Sequence, residues 1–158
     1  MTAFTDTLGF NKGSAALPSE KLYKSFAVSV TLDMAKIVAA RLAAGATALA
    51  VSDTLQVIPI PAKSRVENVG MEITTVSTNG TATYALGDSS AAAGYLAAQA
   101  LTPVGLYGGV PVLSAGAFVP SLSGGKVYAA ADNIIVTLGT ALPTASVVRV
   151  FAEITDLS

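Results

Sequence analysis

From Leu55 to its C-terminus this chain is interrupted too often by turn-forming residues to build long helices. What lies between the interruptions is short and β-branched. LQVIPIP (55–61) carries two prolines at alternate positions, so both missing N–H groups point the same way, which suits an edge strand or a strand exit. Residues 66–78 read as a long strand with Val69, Met71 and Ile73 on one face. Asn79-Gly80 is a hairpin-type turn from which TATYAL returns, and Gly87-Asp88-Ser89-Ser90 is a second turn. The next segment, AAAGYLAAQAL, fits a helix, yet Gly94 and its small residues fit a loop or irregular crossover equally. Between Thr102 and Gly125 glycine and proline are dense enough to forbid a regular helix, implying turns with short strands between them. IIVTLGT then sets Ile134, Val136 and Leu138 on one side of a strand, and Pro143 marks a turn. In the closing VVRVFAEI, Val148, Val150, Ala152 and Ile154 alternate with Val147, Arg149, Phe151 and Glu153.

Upstream the pattern differs. AVSVTL is a β-type run with Val28, Val30 and Leu32 on one face, and MAKIVAARLAAG follows it directly. Asp33 is a suitable N-cap, Leu32 and Ile37 have the spacing of a hydrophobic staple, and Gly45 is placed to end the helix. Met34, Ile37, Val38, Arg41 and Leu42 form its stripe; an extended Ala-rich segment across a sheet is the competing reading. Residues 1–25 show no period, but Phe4, Leu8, Phe10, Leu17 and Tyr23 are many large apolar groups for a solvated tail. They read either as a frayed terminus or as an arm that docks on a neighbouring subunit. The expectation is a mainly β chain: an N-terminal arm over 1–25, then a β-sandwich or jelly-roll over 26–158 with one short helix.

Composition narrows the chemistry. There is no Cys, His or Trp, which removes disulfides, thiol nucleophiles, Cys or His zinc sites and an imidazole base. Nine Lys and Arg face ten Asp and Glu, and Lys21/Lys24, Lys36/Arg41 and Lys63/Arg65 are isolated pairs, so no nucleic-acid patch is expected. The most apolar stretch, 34–51, carries Lys36 and Arg41 and is not a membrane span; the N-terminus lacks the features of a signal peptide. No GxSxG, Walker or GxGxxG signature occurs, and SEKLYK (19–24), the one close Ser and Lys, lies in the irregular segment. Glu67 and Glu72 differ in parity, so a regular strand would point them to opposite faces. Asp88 and Asp132 sit in turn contexts, where aspartate braces its own backbone, and no calcium-type cluster exists. No catalytic, metal or cofactor site is expected, and the chain is read as a non-enzyme. Charged residues are 12%, about half of an ordinary soluble domain, so a surface this poor in charge makes sense if neighbouring chains cover it.

Three passages carry a resemblance: DTLQVIPIPAKSRVENVGMEITT (53–75), ALGDSSAAAGYLAA (85–98) and ADNIIVTLGTALPTASVVRVFAEITDL (131–157). Together, over about two thirds of the chain, they resemble head decoration (capsid cement) proteins of tailed bacteriophages. The chain departs from that pattern at Lys63-Ser64, where a glycine-bearing turn is usual, and at Ser146, where glycine is expected. The resemblance implies a virion structural protein on the outer capsid surface, with the major capsid protein as partner. It also implies self-association, a homotrimer ahead of a homodimer. Edge strands and the N-terminal segment would make the contacts, with Phe4, Leu8 and Phe10 as anchors. Two other readings compete. A neck or tail adaptor would form a ring. A carbohydrate-binding adhesion module would present aromatics for stacking, for which only Tyr95, Tyr107 and Tyr128 fall in loop-like contexts.

Overall fold

The computed structural model describes residues 4–5, 11–12, 24–108 and 125–158. Chain order begins with a two-residue pair, β1 (Phe4–Thr5) and β2 (Asn11–Lys12), then β3 (Ser25–Asp33) and α1 (Met34–Ala43). The strands that follow are β4 (Thr54–Ile60), β5 (Ser64–Thr75), β6 (Thr83–Asp88), β7 (Ala91–Ala100), β8 (Gly105–Gly108), β9 (Lys126–Tyr128), β10 (Asp132–Gly139) and β11 (Val147–Asp156). Two antiparallel sheets face each other, one ordered β4-β10-β6-β7, the other β3-β11-β5-β8 with β9 also on β5. This is the expected β-sandwich.

The core is built from the alternating positions. Ile134, Val136 and Leu138 of β10, with Ile58, Ile60, Tyr84 and Leu86, meet Val148, Val150, Ala152 and Ile154 of β11 and Met71 and Ile73 of β5. All are buried, and each buried aliphatic side chain contributes about 1.5–3 kcal/mol by leaving water. β4 is an edge strand, as its prolines foretold, and β11 runs the length of the five-stranded sheet between β3 and β5.

Three expectations are corrected. AAAGYLAAQAL is neither helix nor loop: residues 91–100 are strand β7, held by antiparallel pairing to β6. Alanine has little β preference of its own, so the pairing decides. Gly87 makes that tight hairpin possible, because a Cβ there would collide with the backbone of Ala91. Asn79-Gly80 does form a turn, closed by Ala82 N–H donating to the Asn79 carbonyl at 3.1 Å. The strands on its two sides, β5 and β6, belong to different sheets, so it is an arch over the sandwich and not a hairpin.

The third correction concerns Glu67 and Glu72. β5 is bulged against β11: Glu153 opposes Asn68 while Ile154 opposes Val66, which leaves Glu67 as the extra residue. Val66 and Val69 both face the core as a result, and Glu67 and Glu72 share the outer face. A regular-strand argument could not see this, since one inserted residue reverses all later parity.

Candidate assembly surfaces

At one end of the sandwich α1 leaves the last residue of β3. Asp33 caps it as expected, Oδ1 accepting from the Lys36 backbone N–H at 3.2 Å and Oδ2 pairing with Lys36 Nζ at 3.1 Å. These bonds hold the Asp33 carboxyl below the usual aspartate range, the backbone bond first. Gly45, at φ +65°, takes the left-handed conformation that ends the helix. The predicted stripe is split, however. Met34 is buried and Ile37 packs on the core, but Val38 is 48% and Leu42 78% exposed. Arg41 donates from Nε and Nη2 to the Thr47 carbonyl at 3.2 and 2.8 Å. Beside it is a mainly apolar groove of about 240 Å³ lined by Met34, Val38, Leu42, Ala48, Leu142 and Pro143, with Arg41 on its wall.

A second apolar surface lies on the outer face of the five-stranded sheet. A shallow depression of about 330 Å³ runs between Ala27, Ser29, Leu106 and Phe151, with Leu106 64% exposed. Arg149 and Glu72 flank it as an ion pair at 2.7 Å. Further along the same face Glu67 accepts from Arg65 Nη2 at 2.7 Å and from Thr155 Oγ1 at 2.6 Å. Those hydrogen bonds, Thr155 first and then Arg65, lower the Glu67 pKa. Each carboxylate is matched to an arginine, and the lowered pKa of Glu67 is the opposite of what a general acid needs.

Among the described residues the densest polar cluster is internal. Asp88 closes the β6–β7 hairpin, Oδ1 accepting from Ser90 N–H (2.9 Å), Ser90 Oγ (2.7 Å) and Ala91 N–H (3.1 Å). Its Oδ2 accepts from Lys126 Nζ and from the Tyr128 hydroxyl, which in turn meets the Tyr95 hydroxyl. Burial alone would raise the Asp88 pKa, but the bonds from Lys126, Tyr128 and Ser90 outweigh it and hold the group well below the aspartate range. Burial first, then the bond to Asp88, pushes Tyr128 well above the usual phenol range. The arrangement ties β9 to β6 and β7 and gives neither an activated nucleophile nor a base near neutrality. Tyr95, Tyr107 and Tyr128 sit in β7, β8 and β9 and not in loops, and Tyr128 is buried; they do not form an exposed stacking platform.

The sheet edges differ in how they are defended. β4 carries Pro59, and its pairing with β10 is broken by a bulge at Ile134/Ile135. β7 is irregular at two points against β6, and β8 has four residues. β3 runs nine residues against β11 without a register shift, and no proline or charge appears in it before Asp33.

With this geometry in hand, two solved structures share the architecture. A chain of the acid-stable capsid of Helicobacter pylori bacteriophage KHP30 superposes with a TM-score of 0.57 at 8% identity, over 85% of this chain and 89% of that one. A chain of the cyanophage Pam1 capsid asymmetric unit gives 0.54 at 16% identity, over 93% of this chain and 97% of that one. The fold is one found in phage capsids. No protein-family model and no curated protein matches the chain, and at these identities the likeness is one of fold.

The anchors expected from sequence lie mostly outside what is described. Phe4 falls in β1, its backbone opposite Lys12; its side chain, Leu8 and Phe10 lie outside the described residues. The sequence placed Val38 and Leu42 on the stripe of α1 and did not single out Leu106 or Leu142; all four are exposed. The available signal was modest: a helix with apolar residues over more of its girth than one contact can cover. Among the described residues no three of His, Cys, Asp and Glu are grouped to hold a metal ion, and no helix is long and apolar enough to cross a membrane.

Proposed function

We propose that this chain is a structural protein of a phage virion that binds the outer surface of the shell built by the major capsid protein and stabilises it, in the manner of a decoration or cement protein. The observation that carries the reading is a sandwich matching chains of two phage capsids over most of both lengths. Support comes from the surface. A chain with 12% charged residues exposes an apolar groove at α1 and an apolar depression on one sheet, as a subunit that is covered on assembly would. In this reading it acts as a closed homo-oligomer, and Phe4, Leu8 and Phe10 anchor the N-terminal arm to a neighbour.

The test is titration of the purified protein onto shells assembled from the major capsid protein of the same phage, with occupancy read by cryo-electron microscopy. Saturable density on the outer surface and a raised shell melting temperature are expected. Density confined to one vertex, or a large ring in solution, would assign the chain to the neck or tail. Deleting Thr2–Phe10 should leave the sandwich folded and lower occupancy; unchanged occupancy would remove the arm from the reading.

A further inference from the structure

We infer that β3 is a self-association edge, on which a second copy of this chain adds its own β3 antiparallel across a two-fold axis through Ser29. The inference rests on the reading of the chain as an assembling subunit and selects the dimer among its closed oligomers. It begins from the missing defences. Exposed strand edges are normally blunted by lysines, prolines, bulges or shortness, because their unpaired N–H and C=O groups template further pairing. β4, β7 and β8 each show one of these devices, and β3 shows none. Its backbone groups bond to β11 along one side, and among the described residues no other strand pairs with it.

The sequence of β3 is complementary to itself in this arrangement. With Ser29 opposite Ser29 of the second copy, Val28 faces Val30 and Phe26 faces Leu32 along the row that points between the sheets. Val28 and Val30 are only half-buried where they stand, and Phe26 is 38% exposed, although Ile154, opposite Phe26 on β11, is fully buried. A second copy would cover this open margin of the sandwich. On the outer row Ala27 faces Thr31, and at each end Ser25 faces Asp33. That last pair brings exposed Lys24, which already stands near its own Asp156, beside Asp33 of the second copy. Opposite charges meet at both ends of a strand that is otherwise uncharged. A parallel pairing would set Asp33 against Asp33 and lose both matches.

Because the chain has no cysteine, one substitution tests the geometry directly. Residues directly opposite in an antiparallel pair have Cα atoms about 4.5–5.5 Å apart, within the span of a disulfide. Ser29→Cys, oxidised at low micromolar concentration, should run almost wholly as a linked dimer without reductant. Ala98→Cys, on exposed β7, should show no disulfide-linked dimer under the same conditions. Equal linkage of both variants, or none of Ser29→Cys, would overturn the proposal. Ser29→Lys places two ammonium groups face to face at the axis while leaving a solvent-facing position in the fold. Light scattering should then show the mass halved, with an unchanged far-ultraviolet circular dichroism spectrum. A wild-type trimer, or a Ser29→Lys variant that keeps the wild-type mass, would also overturn it. Solution mass and disulfide yield report on the β3 contact alone, whereas shell occupancy reports on the proposed function, so either can fail without the other.

Discussion

β11 and β3 lie side by side, and their apolar residues alternate in the same way. Val150 stands opposite Val30, Val148 opposite Leu32 and Ala152 opposite Val28, all on the row facing the other sheet. Their fates differ. Val148 and Val150 are completely buried, and Leu32 at the helix end of β3 is nearly so, whereas Val30 and Val28 are half-buried. β11 has β5 on its far side, and among the described residues β3 has no strand there. Alternation determines which way a side chain points, and the neighbouring strand determines whether water reaches it. A face can be apolar by pattern and still be unfinished by topology.

The sharpest way to break this comparison is to place the same charge on both strands. Val150→Asp puts an unpaired carboxylate in a sealed core and should leave no folded protein by circular dichroism. Retained folding would mean the core is not where the strand parity sets it. A smaller loss, about 3 kcal/mol in urea unfolding, is expected of Asp88→Ala, which removes the carboxylate that Lys126 and Tyr128 share in a largely buried site. The pH dependence follows. The Asp88 pKa is lower folded than unfolded, so its stabilisation is complete above about pH 4, the ordinary aspartate range, and is lost as pH falls from there toward the folded value. Wild type should therefore weaken in acid more steeply than Asp88→Ala; parallel pH profiles would deny Asp88 its role.

Val30→Asp, opposite Val150 but at the edge, should cost the separated subunit only about 1–2 kcal/mol, because there its carboxylate can reach water. A loss as large as that of Val150→Asp would erase the distinction between the strands. Leu42→Ser at the exposed end of α1 should change unfolding free energy by less than about 0.5 kcal/mol. Shell occupancy is where that substitution should register. A clear loss of stability would show that the α1 groove is already closed within the monomer.

The elements most readily legible were those made by near neighbours along the chain. Asp33 and Lys36, Leu32 and Ile37, and Asp88 with Ser90 are within a few residues of each other, and the cap, the staple spacing and the turn brace were readable from that spacing. The cluster that extends the Asp88 brace was not readable, since Lys126 and Tyr128 reach it from strand β9. Nor was the exposure of Val38 and Leu42, because apolar periodicity shows that a helix has an apolar side but not how much of that side another element covers.

By itself the sequence determined the alternation of β5, β10 and β11, the ends of α1, the positions of the turns, and the exclusion of thiol and imidazole chemistry. Each follows from local geometry or from which residue types exist to do the work. The tertiary structure alone decided that Asn79-Gly80 joins two sheets, that an alanine-rich segment is strand β7, and that a bulge sets Glu67 on the same face as Glu72. It also decided that, among the described residues, β3 is an edge strand. These depend on which distant strand supplies the hydrogen bonds. Any extended backbone offers the same donors and acceptors, so the partner is chosen by the packing of the whole sandwich and not by the residues that are paired.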